Sequence, residues 1–287
     1  MIIIKLKGGL GNQMFQYAFG RLIALARREE LKLDKDILGQ KGTRRSYGLD
    51  VFKIKAEIAS LEEVLKLKYP LGIISRAWRL FKAKFLRIFN IGYKKSLLKT
   101  KASYLEGFFQ SYRYLEPIKR ELLEEFSLKD NSFKLKHFAI IQEMRGTESV
   151  AVHIRRGDYV SNPKTKKAHF ICDLSYYEKA FLLIKEKLAI NNLEPKFFIF
   201  SDDINWAKEN IKQENCIFVS RPESLDYEEL ILMSQARHNI IANSSFSFWS
   251  AWLNSNPEKI VIAPALWNRK YQKAYKYLLP EDWLRLK

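Results

Sequence analysis

Eleven residues in the middle of the chain, Ser149-Val150-Ala151-Val152-His153-Ile154-Arg155-Arg156-Gly157-Asp158-Tyr159, place an imidazole, two guanidiniums and a carboxylate within six positions. Arginine cannot shed its charge, and its planar fork matches the spacing of phosphate oxygens, so two adjacent arginines call for an anion. Two readings fit: a pyrophosphate-binding site, or an arginine–aspartate cluster that pins a loop. Further polar sets recur at the same kind of position, after a short apolar run. They are Ser201-Asp202-Asp203 and Asn243-Ser244-Ser245 with Ser247. A carboxylate suits a guanine N–H edge or ribose hydroxyls, and serines with backbone N–H groups at a helix N-terminus suit phosphate oxygens. Each of these residues also reads as a helix N-cap. Near the start, Lys7-Gly8-Gly9-Leu10-Gly11-Asn12-Gln13 is a glycine-rich loop that lets backbone come close to a phosphate or a sugar. It lacks the third glycine of the dinucleotide fingerprint and the Gly-Lys-Ser/Thr of a Walker loop. Gln110 and Ser111, among Phe108, Phe109 and Tyr112, suit a sugar ring or ordinary packing. Asp34-Lys35-Asp36 has the spacing of a cation-binding pair but the look of a surface edge.

The elements that must hold these residues are legible from periodicity. Ile2–Leu6 reads as the first strand, the glycine loop follows, and 14–30 reads as a helix with Phe15, Phe19, Leu22, Ile23 and Ala26 on one face. Lys32–Asp36 reads as a short strand, 61–67 as a helix, 103–112 as a strand and 118–126 as a short helix. Ile74, Trp78, Phe81, Phe85 and Ile88 recur at helical spacing with basic residues between them, the pattern of an interfacial membrane helix or of a core-facing helix with a basic outer side. From 149 onward strands alternate with helices: 175–190, 196–200, 203–210, 216–219, 225–236, 239–242, 243–253 and 260–263. That rhythm means parallel βαβ units, whose ligands gather at the carboxyl ends of the strands. A boundary in 127–147 gives an N-terminal domain of residues 1–140 and a C-terminal domain of residues 141–287.

With 47% hydrophobic and 14% aromatic residues in 287, the chain is neither disordered nor fibrous. Cys172 and Cys216 offer no metal spacing and no disulfide framework, as in a reducing cytosol. The opening apolar run is too short for a signal peptide or a span, so the expected protein is cytoplasmic, soluble or peripheral. Of the net charge of +18, eleven positive charges fall between Glu63 and Glu106, where no acid occurs. That block points to an anionic partner (lipid headgroups at a membrane surface, an acidic glycan or, in a polyanion- or RNA-binding protein, nucleic acid) or is a solvated face; docking at an anionic membrane is the reading adopted.

Four stretches together resemble the α-1,2-fucosyltransferases of glycosyltransferase family 11: Gly8-Gly9-Leu10-Gly11-Asn12-Gln13-Met14-Phe15-Gln16, His153 to Tyr159, Phe198 to Asp203, and Ala242 to Trp249. The resemblance runs from residue 3 to about 265, with segment 64–101 the part least like the family. It implies an α/β, GT-B-like fold of two facing Rossmann-like domains with mostly parallel sheets, the first on the acceptor side and the second binding the donor. It implies GDP-β-L-fucose as donor, inversion, a galactose 2-hydroxyl as acceptor, and no metal or other cofactor. By the same resemblance Arg155 neutralises the donor diphosphate, and His153, Asp202, Ser244, Ser245 and Phe246 hold the donor. Gly9, Gly11 and Asn12 form a loop facing it. Gln110, Ser111 and His169 are the acceptor-side candidates. Asp158, three residues past Arg155, is the candidate general base, with a salt bridge to Arg156 as its rival role; Glu106 and His169 are further candidates. The expected partners are the donor, a galactose-containing or lipid-linked glycan, and an anionic membrane, without nucleic acid.

Overall fold

The computed structural model describes residues 1–39, 45–68, 90–157, 172–269 and 271–287. The amphipathic stretch 74–89, and Asp158 and His169, therefore lie outside the described residues. The chain forms two units, residues 1–129 with 274–279 and residues 130–273 with 280–287.

The first unit is built on β1 (Ile2–Lys5), whose three isoleucines are fully buried. It lies between β2 (Leu31–Asp34) and β4 (Tyr104–Leu105), and β3 (Glu57–Ile58) adds outside β2. All pairings are parallel, in the order β3-β2-β1-β4. Helix α1 (Leu10–Arg27) begins four residues earlier than periodicity suggested, with Gly9 as its N-cap, so the glycine loop is only the turn Lys7–Gly9. Helix α1 ends at Arg28, a left-handed residue at φ 54° whose N–H returns to the last-turn carbonyls. Helices α2 (Leu61–Lys68) and α3 (Lys119–Glu125) follow. The run expected as a strand over 103–112 leaves the sheet after two residues, and the amides of Phe108 and Gln110 bond instead to the carbonyls of Asn90 and Ile91 (2.7 and 2.6 Å). Packing decides this departure: Phe109 stacks on Phe19, centroids 4.0 Å apart, in place of continuing a ladder. Asp34 is buried and accepts from the Tyr104 hydroxyl and the Asp36 amide, so its carboxylate closes the turn after β2.

The second unit holds α4 (Ser132–Lys136) and α5 (Phe138–Gly146), residues the sequence reading divided at 140. Helix α5 packs on β5 (Glu148–Ile154), which explains why it goes with this unit. After it come α6 (Leu174–Ala189), β6 (Pro195–Ser201), α7 (Ile204–Asn210), β7 (Cys216–Phe218), α8 (Asp226–Ser234), β8 (His238–Ile240), α9 (Ser245–Leu253), β9 (Val261–Pro264) and β10 (Leu284–Leu286). The sheet is parallel throughout, ordered β10-β9-β8-β5-β6-β7. Counted within the unit this is 3-2-1-4-5-6 from its other edge, and the winding direction reverses between β5 and β8. At such a reversal the helices leave opposite faces, opening a crevice at the carboxyl ends of the strands. Both flanking strands are buried, and Val150, Val152, Ile154 and Ile240 share one apolar cluster with α6.

Candidate active site

The carboxyl end of β5 and the N-terminus of α9 meet at this reversal. His153, the last residue but one of β5, is 4% exposed, and its ring lies 5.4 Å from that of Phe246 in the first turn of α9. Burial, and secondarily the Arg155 charge, pushes its pKa down to about 3, so the imidazole is neutral at pH 7. Its Nδ1 is buried and has no hydrogen-bond partner among the described residues, which marks a place where a ligand atom can bind.

Arg155 leaves the sheet and pairs its Nη1 with Asp202 Oδ2 at 2.8 Å. The other carboxylate oxygen accepts the Arg156 amide at 2.8 Å. A Cβ on Gly157 would stand 2.3 Å from Asp202 Oδ2, so glycine here leaves room for the Asp202 carboxylate in this position. Asp202 thus orients one face of the Arg155 fork. Arg156 turns elsewhere. Its guanidinium lies 3.6 Å over the Trp206 ring and its Nε is 3.4 Å from Asp203, which itself caps α7 through the Trp206 amide. Of the two adjacent arginines, then, one stands at the crevice and one fastens α7.

Ser244 caps α9, its hydroxyl accepting the Phe246 amide at 3.3 Å, and Ser247 donates back to the Ala242 carbonyl at 3.1 Å. The capping reading and the site reading therefore hold together for Ser244. Asn243, buried, donates to the Trp267 carbonyl at 3.0 Å and holds the strand-to-helix turn. At the opposite end of the same strands His238 accepts the Ile260 amide on Nδ1 and so donates from Nε2 to Glu148, a structural pair away from the crevice.

In the first unit the expected residues Gly9, Gly11, Asn12 and Gln110 come together at the carboxyl ends of β1 and β4. Gln110 donates to Asn12 Oδ1 at 2.6 Å. Gly8 has φ +83°, and a Cβ there would meet Asn12 Nδ2 at 2.5 Å. Two buried amides, quoted within the family-like stretch but given no role there, shape this loop. Gln13 reaches the carbonyls of Gly8 and Ser46 and accepts the Gly48 amide, while Gln16 brackets both backbone groups of Lys7 and donates to the Gly107 carbonyl. Their i, i+3 spacing on an otherwise apolar helix face was the available signal. Glu106 lies 3.7 and 3.9 Å from the ammoniums of Lys5 and Lys7. Ser111 is fully buried, donating to the Tyr277 carbonyl and accepting the Arg113 amide.

A family model for glycosyl transferase family 11 matches residues 1–287. An alpha-1,2-colitosyltransferase of Escherichia coli is 36% identical over all of this chain and 99% of its own length. The O-antigen biosynthesis glycosyltransferase WbnK of Escherichia coli is 30% identical over 98% and 99% of the two chains. Among solved structures, NodZ alpha-1,6-fucosyltransferase soaked with GDP-fucose superposes with a TM-score of 0.52 at 14% identity, covering 90% of this chain and 96% of that one. At that identity the likeness is one of fold, and it places the two parallel-sheet units in the GT-B class.

Proposed function

The chain belongs to glycosyl transferase family 11, and from that membership we propose that it moves L-fucose from GDP-β-L-fucose to the 2-hydroxyl of a galactose-containing glycan. The linkage formed is α-1,2, with inversion and without a metal ion, in the building of a surface polysaccharide such as O-antigen. The observation that carries this reading is the Arg155 fork, fixed by Asp202 beside the N-terminus of α9 at the winding reversal.

The bond from fucose C1 to the β-phosphate oxygen breaks as the acceptor oxygen attacks C1 from the opposite face. Oxocarbenium character builds on the sugar and negative charge on the departing GDP. Arg155, which cannot deprotonate, and the N-terminus of α9 take up that charge. Neutral His153 has no proton to give as an acid at pH 7, so its part is to hydrogen-bond the bound donor through the buried ring nitrogen. The acceptor proton passes to Asp158 directly or through water.

A second donor is favoured by the 36% identity to a colitosyltransferase: colitose is fucose without its 3-hydroxyl, so the same crevice can take GDP-colitose. We place the reaction at the cytoplasmic face of a membrane, where lipid-linked acceptors are assembled. The test is transfer from each labelled GDP-sugar to a panel of galactosides, with and without EDTA. Fucosylation at position 2, unchanged by EDTA, is expected. Transfer only from a different nucleotide sugar, or loss of turnover in EDTA, overturns the corresponding part.

A further inference from the structure

Two consecutive tyrosines stand in the first turn of α6, and the chemistry above uses neither. Asp173 caps that helix by accepting the Tyr176 amide at 3.0 Å, which fixes where the turn begins. Tyr176 and Tyr177 are 7% and 1% exposed and belong to the same apolar cluster as β5 and β8. A buried phenol oxygen needs a hydrogen-bond partner, and phenylalanine would fill the same space without that demand. Here the partners are backbone groups of two neighbouring strands. The Tyr177 hydroxyl donates to the His153 carbonyl at 3.1 Å, and its oxygen takes the Arg155 amide. The Tyr176 hydroxyl donates to the Ile241 carbonyl at 2.6 Å. Burial raises both phenol pKa values well above their ordinary range, so each hydroxyl keeps the proton it donates.

The paired register of β5 and β8 stops at Val152 opposite Ile240, where the winding reverses. His153 and Ile241 are the next residues on the two strands, so both carbonyls lie just past that last pair. Arg155 follows two residues later on one side, and Ser244 caps α9 three residues later on the other. One hydroxyl therefore brackets the backbone from which the Arg155 fork projects. The other holds the strand end that leads into the amino terminus of α9.

We propose that both tyrosines are positioning residues, Tyr177 setting the direction of the Arg155 fork and Tyr176 the place of the α9 N-terminus. The proposal rests on the reading above, in which these two groups take up the charge of departing GDP, and adds what holds them in register. A double-mutant cycle in the full chain tests it, read as kcat and as GDP affinity by calorimetry. Tyr177→Phe should lower kcat about ten- to a hundredfold, the cost of a misplacement of roughly 1 Å. In an Arg155→Ala background the same substitution should change kcat less than about twofold, because the fork it would misdirect is gone. Tyr176→Phe should lower kcat in both backgrounds, since α9 is present in each. GDP affinity should follow the same pattern. Sucrose, which strengthens burial, keeps the variants folded during the assay, and thermal denaturation checks that they are. A hydroxyl that only supports the fold would lower the melting temperature and spare kcat, or act alike in both backgrounds. Wild-type kcat in Tyr177→Phe, or an equal loss with and without Arg155, overturns the role of Tyr177. Wild-type kcat in Tyr176→Phe overturns that of Tyr176. If the wild type does not bind GDP, the GDP-sugar reading fails instead.

Discussion

At position 155 a guanidinium meets Asp202 with one nitrogen, while at 156 another lies flat on Trp206 and reaches Asp203. Substituting each should therefore do different things. Arg155→Ala should lower kcat by about a hundred- to a thousandfold, the cost of removing one preorganised group from a developing anion, with the melting temperature little changed. Arg155→Lys should fail almost as badly, because a point charge does not reproduce the fork. Arg156→Ala should lower the melting temperature and keep most of the turnover; the reverse ranking in a steady-state assay would take Arg155 out of the mechanism. His153 gives a prediction in pH. Its folded-state pKa of about 3 lies below the unfolded value near 6.5, so the unfolded chain binds the proton more tightly. The stability it contributes is complete above pH 6.5 and declines as pH falls towards 3, by up to about 1.4 kcal/mol per pH unit. Urea titrations at pH 7 and pH 5 should show a loss about 2 kcal/mol larger in the wild type than in His153→Gln. For Asp158, Asp158→Asn should abolish the acidic limb of the pH–rate profile; an unchanged profile and rate would remove it as the base.

The helices and strands carry their own tests. Arg28 ends α1 at φ 54°, a conformation that costs an L-residue about 1 kcal/mol or more, and its side chain is exposed. Arg28→Gly should raise stability by roughly 0.5–1 kcal/mol, the left-handed strain relieved exceeding the added freedom of the unfolded chain. A drop in the urea midpoint would contradict that. Further along α1, Tyr17 and Arg21 both reach Glu125, which is 1% exposed on α3. Arg21→Ala leaves that carboxylate buried beside a tyrosine alone and should cost about 3 kcal/mol or more. The same elements show what pattern reading catches. In the second unit β5, β6 and the helices after them were legible because each is a full apolar period with turn residues at its ends. Ser201, Asp202 and Ser244 were legible as a set because parallel strands align their carboxyl ends. The start of α1 was hidden, since Gly9 and Gly11 signal a loop where the backbone in fact begins its helix. Strand β4 was overread because the aromatic run that favours a ladder is drawn into the core by Phe19. Strand β10, three residues with a charged centre, has no period to detect and exists only because β9 offers it an edge.

For the chain as a whole the uneven charge matters more than its sum. Eleven basic residues and no acidic one lie between Glu63 and Glu106, and no helix among the described residues is long and apolar enough to cross a membrane. Each lysine or arginine close to an anionic leaflet contributes about 1 kcal/mol, within a range set by the Debye length. A segment with this charge, carrying Trp78, Phe81 and Phe85 at helical spacing, should hold the enzyme reversibly at anionic lipid. The protein should cosediment with vesicles containing phosphatidylglycerol, not with phosphatidylcholine alone, and should be released by high salt. Replacing Arg76, Arg79, Lys82, Lys84 and Arg87 by glutamine should abolish cosedimentation while leaving GDP affinity unchanged, because none of these five residues is assigned to donor recognition. If the glutamine variant still binds vesicles, the charge is only a solvated face. If instead the wild type binds RNA more tightly than vesicles, with a steep salt dependence and no response to GDP, the polyanion reading takes its place.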